Sequence, residues 1–111
     1  MWIWIFTFIY GAWGFEFENL KFLIEPKDVT VSTGAEFRLE CGVDGDGYNY
    51  KWHKNGDIIP NQNSNVLLIE NCSERDSGSY ECSVVNKNQH GIVSRIAKVH
   101  VIGMFFTYFV N

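Results

Sequence analysis

The sequence has no excess of basic residues: Lys and Arg number 9 against 13 Asp and Glu, for a formal net charge of -4. Without a positive field to neutralise phosphates, nucleic acid is not an expected partner. At 111 residues the chain also lacks the length for two domains, which excludes large multi-domain enzymes. No stretch holds an i, i+3, i+4 apolar stripe for three turns, so a helical fold is not expected. There is no G-x-S-x-G elbow and no carboxylate pair in a recognisable cleft, so no catalytic residues are expected and the chain reads as a non-enzyme. Disorder is excluded by 46% hydrophobic and only 20% charged residues, while aromatics at 16% are high.

Much of that aromatic content lies at the two ends. Residues 1–14, MWIWIFTFIYGAWG, carry no charged side chain. They fall short of the roughly 20 residues of a membrane helix but fit the apolar core of a secretory leader, with Ala12 and Gly14 as small residues at a cleavage site. No Lys or Arg precedes the run. A cleaved leader is the expectation, with a hydrophobic anchor, an extra strand or a wrongly read first exon as alternatives. Residues 103–111, GMFFTYFVN, form a second apolar stretch too short to cross a bilayer. This tail is expected to reflect truncation or artefact, and a membrane is expected only through a longer isoform or an uncleaved N-terminus.

Between the ends, residues 20–102 alternate at period two in short runs separated by Gly, Asn, Asp and Pro, which is an all-β pattern. Phe37, Leu39 and Cys41 share one face of the clearest run. Tyr50 with Trp52, Leu67 with Ile69, and Tyr80 with Cys82 and Val84 repeat the arrangement. A last run from Ile92 to Ile102 brings Ala97, Val99 and Val101 to one side. Asn55-Gly56-Asp57 and the polar stretch Asn61 to Asn65 read as connections. Cys41 and Cys82 both fall on inward faces of different strands, where a bridge is geometrically natural. Closing a loop of that size would stabilise the fold by roughly 4 kcal/mol and would imply an oxidising compartment.

Cys41, then Trp52, then the run Asp76-Ser77-Gly78-Ser79-Tyr80-Glu81-Cys82 resembles the immunoglobulin superfamily, with its cysteine on strand B, tryptophan on strand C and D-x-G-x-Y-x-C entering strand F. The interval of about 15 residues between Trp52 and Leu67 leaves no room for the two additional strands of a variable-type domain. The resemblance is therefore to I-set or C2-type domains. It implies a Greek-key β-sandwich with one inter-sheet disulfide between Cys41 and Cys82. It also implies a structural core of Trp52, Leu39 and Leu67, a tyrosine corner at Tyr80, and a tight turn formed by Asp76 and Gly78. The B–C segment, Gly42 to Tyr48, departs from such domains in lacking prolines.

Beyond this framework the candidate sites are few. Cys72, the odd cysteine, is expected to be a buried inert thiol. Asn71-Cys72-Ser73 matches the N-x-[ST] acceptor, which makes Asn71 a candidate for glycosylation. Asp44-Gly45-Asp46-Gly47 opens like a calcium loop, but Asn55 stands where the closing carboxylate belongs, so a solvated turn is expected. His53, His90 and His100 are too spread to form a metal site. No metal and no cofactor are therefore expected. What remains is a sheet face. With Trp52, Cys82 and Val99 inward, Lys51, His53, Ser83, Val85, Ile96 and Lys98 project outward, with Val85 and Ile96 as an apolar centre. The resemblance implies a cell-surface or secreted adhesion or receptor module that binds another protein, such as another immunoglobulin-like domain, through loops or this C-F-G face. The rival expectations are a cytoplasmic scaffold domain of muscle-filament or paracaspase type, and a fragment of a longer multi-domain chain.

Overall fold

The structure, a computed structural model, describes residues 20–103. The expected leader at 1–14, and all of the apolar tail after Gly103, lie outside the described residues. Within them the chain forms β1 (Phe22–Ile24), β2 (Val29–Ser32), β3 (Phe37–Glu40), β4 (Gly42–Val43), β5 (Asn49–Lys54), β6 (Asp57–Ile58) and β7 (Val66–Ile69). A single 3-10 turn at Glu74–Asp76 then leads into β8 (Gly78–Val85), β9 (Gly91–Val93) and β10 (Ala97–Ile102).

Two sheets result. The larger runs β2-β10-β8-β5-β6, with β9 pairing to the far end of β8. The smaller is built on the run β3–β4, interrupted only at Cys41, with β1 paired to β4 and β7 paired to β3. Apolar alternation sets which residues face between the sheets: Phe37 and Leu39 on β3, Leu67 on β7, and Tyr80, Cys82 and Val84 on β8 are all buried. This is the all-β sandwich that the alternation implied. The expected bridge joins Cys41 to Cys82, with Cα atoms 6.7 Å apart and a sequence separation of 41. Trp52, fully buried, lies directly opposite Cys82 across the β5–β8 ladder. Its indole N–H donates to the Ser64 carbonyl at 2.8 Å, so the ring is buried without stranding a donor.

The entry into β8 is fixed by a second cluster. The Tyr80 hydroxyl donates to the Asp76 carbonyl at 2.6 Å, while the Asp76 carboxylate accepts the Ser73 N–H at 2.8 Å. The Tyr80 ring meets Phe37 edge-on, with centroids 5.9 Å apart, and the Lys54 ammonium stands 6.0 Å from its centroid. Gly78 opens β8 and does not form the turn itself. A Cβ there would lie 3.0 Å from Asn55 Oδ1, the acceptor for the Ser79 N–H, so a larger residue would press on the Asn55 side chain that holds the start of β8.

Three features go beyond what the sequence pattern described. First, the run from Ile92 to Ile102 is not one strand. Ser83 faces Val93 and Tyr80 faces Ala97, so β8 takes three steps where the partner takes four. The extra residue is a bulge. Buried Ser94 secures it: its N–H donates to the Cys82 carbonyl at 2.8 Å, and its hydroxyl accepts the Cys82 N–H at 3.0 Å and donates to the Arg95 carbonyl at 2.8 Å. Second, the interval between Trp52 and Leu67, expected to lack room for the two additional strands of a variable-type domain, contains the single two-residue β6. Asn55 and Gly56, with φ of 52° and 91°, form the tight reversal that pairs it with β5. Third, the first extended segment changes sheets at the buried Pro26, so that β1 pairs with β4 while β2 runs parallel to β10.

Two outcomes follow for stability. Cys82→Ala is expected to lower the unfolding free energy by about 4 kcal/mol in urea titrations without reductant, and dithiothreitol should weaken the native chain similarly. Burial, with smaller contributions from Asp76 and Cys72, pushes the Tyr80 phenol up from 10.0 to about 12. The folded state thus holds the proton more tightly than the unfolded one. This contribution is complete below pH 10 and is lost as pH rises towards 12. Tyr80→Phe should flatten the stability profile across that window, and at neutral pH it should cost about 1–3 kcal/mol because the Asp76 carbonyl loses its donor.

Candidate functional site

The ladders of the larger sheet arrange its outward side chains in rows. Residues directly opposite one another share a face, so Asn49, Val85 and Gly91 form one row and Lys51, Ser83 and Val93 the next. Ile58, His53 and Glu81 form a third, and Ser79 with Lys98 a fourth. The register thus brings together Lys51, His53, Ser83 and Val85 of the expected face. His53 Nε2 and the Ser83 hydroxyl are 3.1 Å apart and hydrogen bonded, and Lys51 Nζ reaches Asn63 Oδ1 at 3.4 Å. A shallow depression of about 440 Å³ opens beside them, between Lys51, Asn63, Val85 and Gln89.

Val85 and Ile96 do not meet. Val85 stands opposite Gly91, whereas Ile96 precedes Ala97, the partner of Tyr80. That places them about four residues apart along β8, on the order of 14 Å. Val85 is also half-buried rather than a free apolar centre. A Cβ on Gly91 would lie 2.9 Å from the Val84 carbonyl and 3.1 Å from Val85 Cγ2, so the glycine lets the two strands close and Val85 lean across the gap. The apolar surface of the face belongs instead to Val93, 57% exposed, and Ile58, 58% exposed, with Ile96 at 49% in the link between β9 and β10. Alternation counted back from Ala97 and Val99 turns Val93 inward. The bulge at Ser94 reverses that parity, and the Val85–Gly91 pairing of the hairpin is the only sequence feature that could have set it.

The bulge is tied to the sheet switch of the first segment. The Arg95 N–H donates to Glu25 Oε1 at 2.7 Å, and its guanidinium donates to the Pro26 carbonyl at 2.6 Å and meets Asp28 Oδ1 at 3.4 Å. Asp28 Oδ1 also accepts the Lys98 N–H at 2.9 Å. This last bond chiefly lowers the Asp28 pKa below its ordinary 3.8. It outweighs the opposing effect of desolvation, and the charge of Arg95 adds to it. One carboxylate therefore holds β10 at the residue where it begins to carry the outward face.

The remaining candidates lie elsewhere. Asn71 is exposed and adopts a left-handed backbone with φ of 51°, at the exit of β7. Cys72 is buried and unbridged, and its thiol faces the Ser32 carbonyl at 3.4 Å. Asp44, Gly45, Asp46 and Gly47 form an exposed turn at the opposite pole, close to Asn86 and His90 of the loop between β8 and β9. His100 lies on β10 and His53 on β5, with β8 between them. Among the described residues Glu81 makes no hydrogen bond to His53, so the His53–Ser83 pair lacks the orienting carboxylate of a nucleophilic triad.

The profile of the family described as immunoglobulin domain matches residues 21–101. Mouse papilin is 40% identical over 83 residues, which take up 68% of this chain and 6% of papilin. The human netrin receptor DCC is 35% identical over 102 residues, or 78% of this chain and 7% of the receptor. The chain thus spans a small fraction of the length of these curated relatives. Among solved structures, one chain of a titin M10–obscurin-like 1 Ig complex superposes with a TM-score of 0.66 at 26% identity, covering 77% of this chain and 94% of that one.

The Asp28 clamp yields a measurable expectation. Because the folded carboxyl has the lower pKa, its stabilising contribution is present above the ordinary carboxylate value, near 3.8, and disappears as pH falls through the folded value. Asp28→Ala should remove that acid dependence. It should also accelerate hydrogen exchange at the Lys98 amide, followed by NMR, while leaving the Trp52 amide protected.

Proposed function

This chain belongs to the immunoglobulin domain family, and from that premise we propose that it is a non-enzymatic protein-binding module of cell-surface or secreted type. It docks another immunoglobulin-like domain on the outward face of its larger sheet. The observation that carries this reading is the set of exposed aliphatics Ile58, Val93 and Ile96 on or beside that face, among the polar groups of Lys51, His53, Ser83 and Lys98. The aliphatics stand at the two borders of the face, on β6 and β9, with the polar groups of β5 and β8 between them, and docking surfaces are of such mixed apolar and polar composition. The likeness to a chain from a complex containing an immunoglobulin domain supports the choice of partner, and the Cys41–Cys82 bridge supports an oxidising compartment. The mechanism is rigid display: a bridged, close-packed core holds the rows of the face at fixed spacing, so little ordering entropy is lost on binding.

A second reading is an intracellular scaffold domain of muscle-filament or paracaspase type, in which the three cysteines would stay reduced. Peptide-mapped mass spectrometry without reductant separates the two. Loss of residues 1–14 with an intact Cys41–Cys82 bridge supports the extracellular module, and a retained N-terminus with three free thiols supports the scaffold.

The face itself is tested by surface plasmon resonance against a panel of immunoglobulin-domain ectodomains that includes the chain itself. Val93→Asp or Ile58→Asp should weaken a specific interaction at least tenfold without lowering the melting temperature, whereas Leu68→Asp, on the smaller sheet, should leave it unchanged. Equal loss in all three variants, or no loss in either of the first two, sinks the proposed face.

A further inference from the structure

We propose that Asn71 is an N-glycosylation site, carrying its sugar at the pole of the sandwich remote from the loops 44–48 and 86–90. The inference rests on the secretory reading above, and it draws on the one sequence motif that the docking face leaves unused. Asn71-Cys72-Ser73 is the only N-x-[ST] triplet in the chain, and its middle residue is not proline. Three observations make it usable. Asn71 is exposed, and among the described residues its carboxamide has no hydrogen-bond partner, so attachment of a sugar breaks nothing. Its left-handed backbone, φ of 51°, sets it at a corner between β7 and the 3-10 turn. The residue that follows is anchored independently of it. The Cys72 N–H donates to the Ala35 carbonyl at 2.9 Å, the Gly34 N–H donates to the Cys72 carbonyl at 2.8 Å, and the Cys72 side chain is buried. The chain on the C-terminal side of the acceptor is therefore pinned down while the acceptor itself stands outside.

Transfer would occur from a lipid-pyrophosphate-linked oligosaccharide in the secretory pathway. The Asn71 Nδ2–C1 bond forms, the C1–oxygen bond to the pyrophosphate breaks, the amide gives up one proton, and the lipid pyrophosphate leaves. No electrons change hands.

The position restricts what the domain can dock. Asn71 shares its pole with the turn at residues 33–35 and with the end of β10, where the Thr33 N–H meets the Ile102 carbonyl at 2.9 Å. A glycan there shields that pole and leaves free the rows of Lys51 and Val93, which lie towards the other end of β8.

The test is expression of the full chain in secretory cells, once with its own N-terminus and once behind an established secretion leader, followed by peptide mapping before and after amidase deglycosylation. The expected result is a mass shift confined to the peptide containing Asn71, with aspartate left at 71 after deglycosylation. Asn71→Gly keeps the left-handed backbone and should abolish the shift without impairing secretion, and Ser73→Thr should preserve it. Glycosylation of the leader-fused chain alone upholds the site and counts against the secretory reading. A secreted leader-fused chain with unmodified Asn71, or a shift that survives Asn71→Gly, overturns the site.

Discussion

The bridge between Cys41 and Cys82 is the constraint on which the rest of this domain depends, because it fixes the separation of the sheets at their centres. Cys41 is the one residue that interrupts the β3–β4 run, and Cys82 lies near the midpoint of β8, the central strand of the larger sheet. Trp52 lies next to that midpoint and is sealed by its own hydrogen bond to Ser64. Packing in a domain of this size leaves only a modest margin of stability, to which the bridge adds. The covalent link removes much of the unfolded chain's freedom, and close packing around the buried Trp52, the cross-strand neighbour of Cys82, then favours a single arrangement. The outward rows inherit their spacing from this inner layer.

Around that centre, polar contacts correct the places where regular pairing fails. The first segment must leave one sheet for the other, and the last must absorb an extra residue. Both irregularities meet at Arg95, which bonds to Glu25, Pro26 and Asp28. Ser94 fills the gap on the inner side, where its hydroxyl completes the hydrogen bonding of Cys82. Backbone groups that a broken ladder would have left unpaired are thereby satisfied. These contacts are individually modest, but they decide which way Val93 faces, and with it the character of the exposed sheet.

The sequence makes the framework legible and the edges obscure, for a physical reason. Phe37, Leu39 and Cys41 announce their strand by alternation, and the run from Asp76 to Cys82 marks its turn, its corner and its bridge by residue type. Burial is periodic, and periodicity can be counted. The bulge at Ser94 and the sheet switch at Pro26 depend on a few local side chain–backbone bonds, and β6 is only two residues long, so none of them leaves a repeating trace. Of the residues counted to that face, Lys51, His53, Ser83 and Val85 do share one surface, but Val85 leans on Gly91, Ile96 stands apart, and the exposed aliphatics are Val93 and Ile58. A parity error of one residue is enough to exchange the inside and outside of a strand.

The larger sheet ends in β6, only two residues long, on one side and in β2 on the other. Open strand edges invite other chains to extend the sheet through backbone pairing, the route to both peptide capture and aggregation. Here β6 offers almost no ladder to extend. At the opposite border the parallel β2 carries only four residues, with Thr30 and Ser32 pointing to solvent. Among the described residues these two borders are therefore poorly suited to recognising a partner by strand addition. Selectivity must be written in side chains, so a few surface substitutions could redirect such a domain to a new partner while the framework stays untouched.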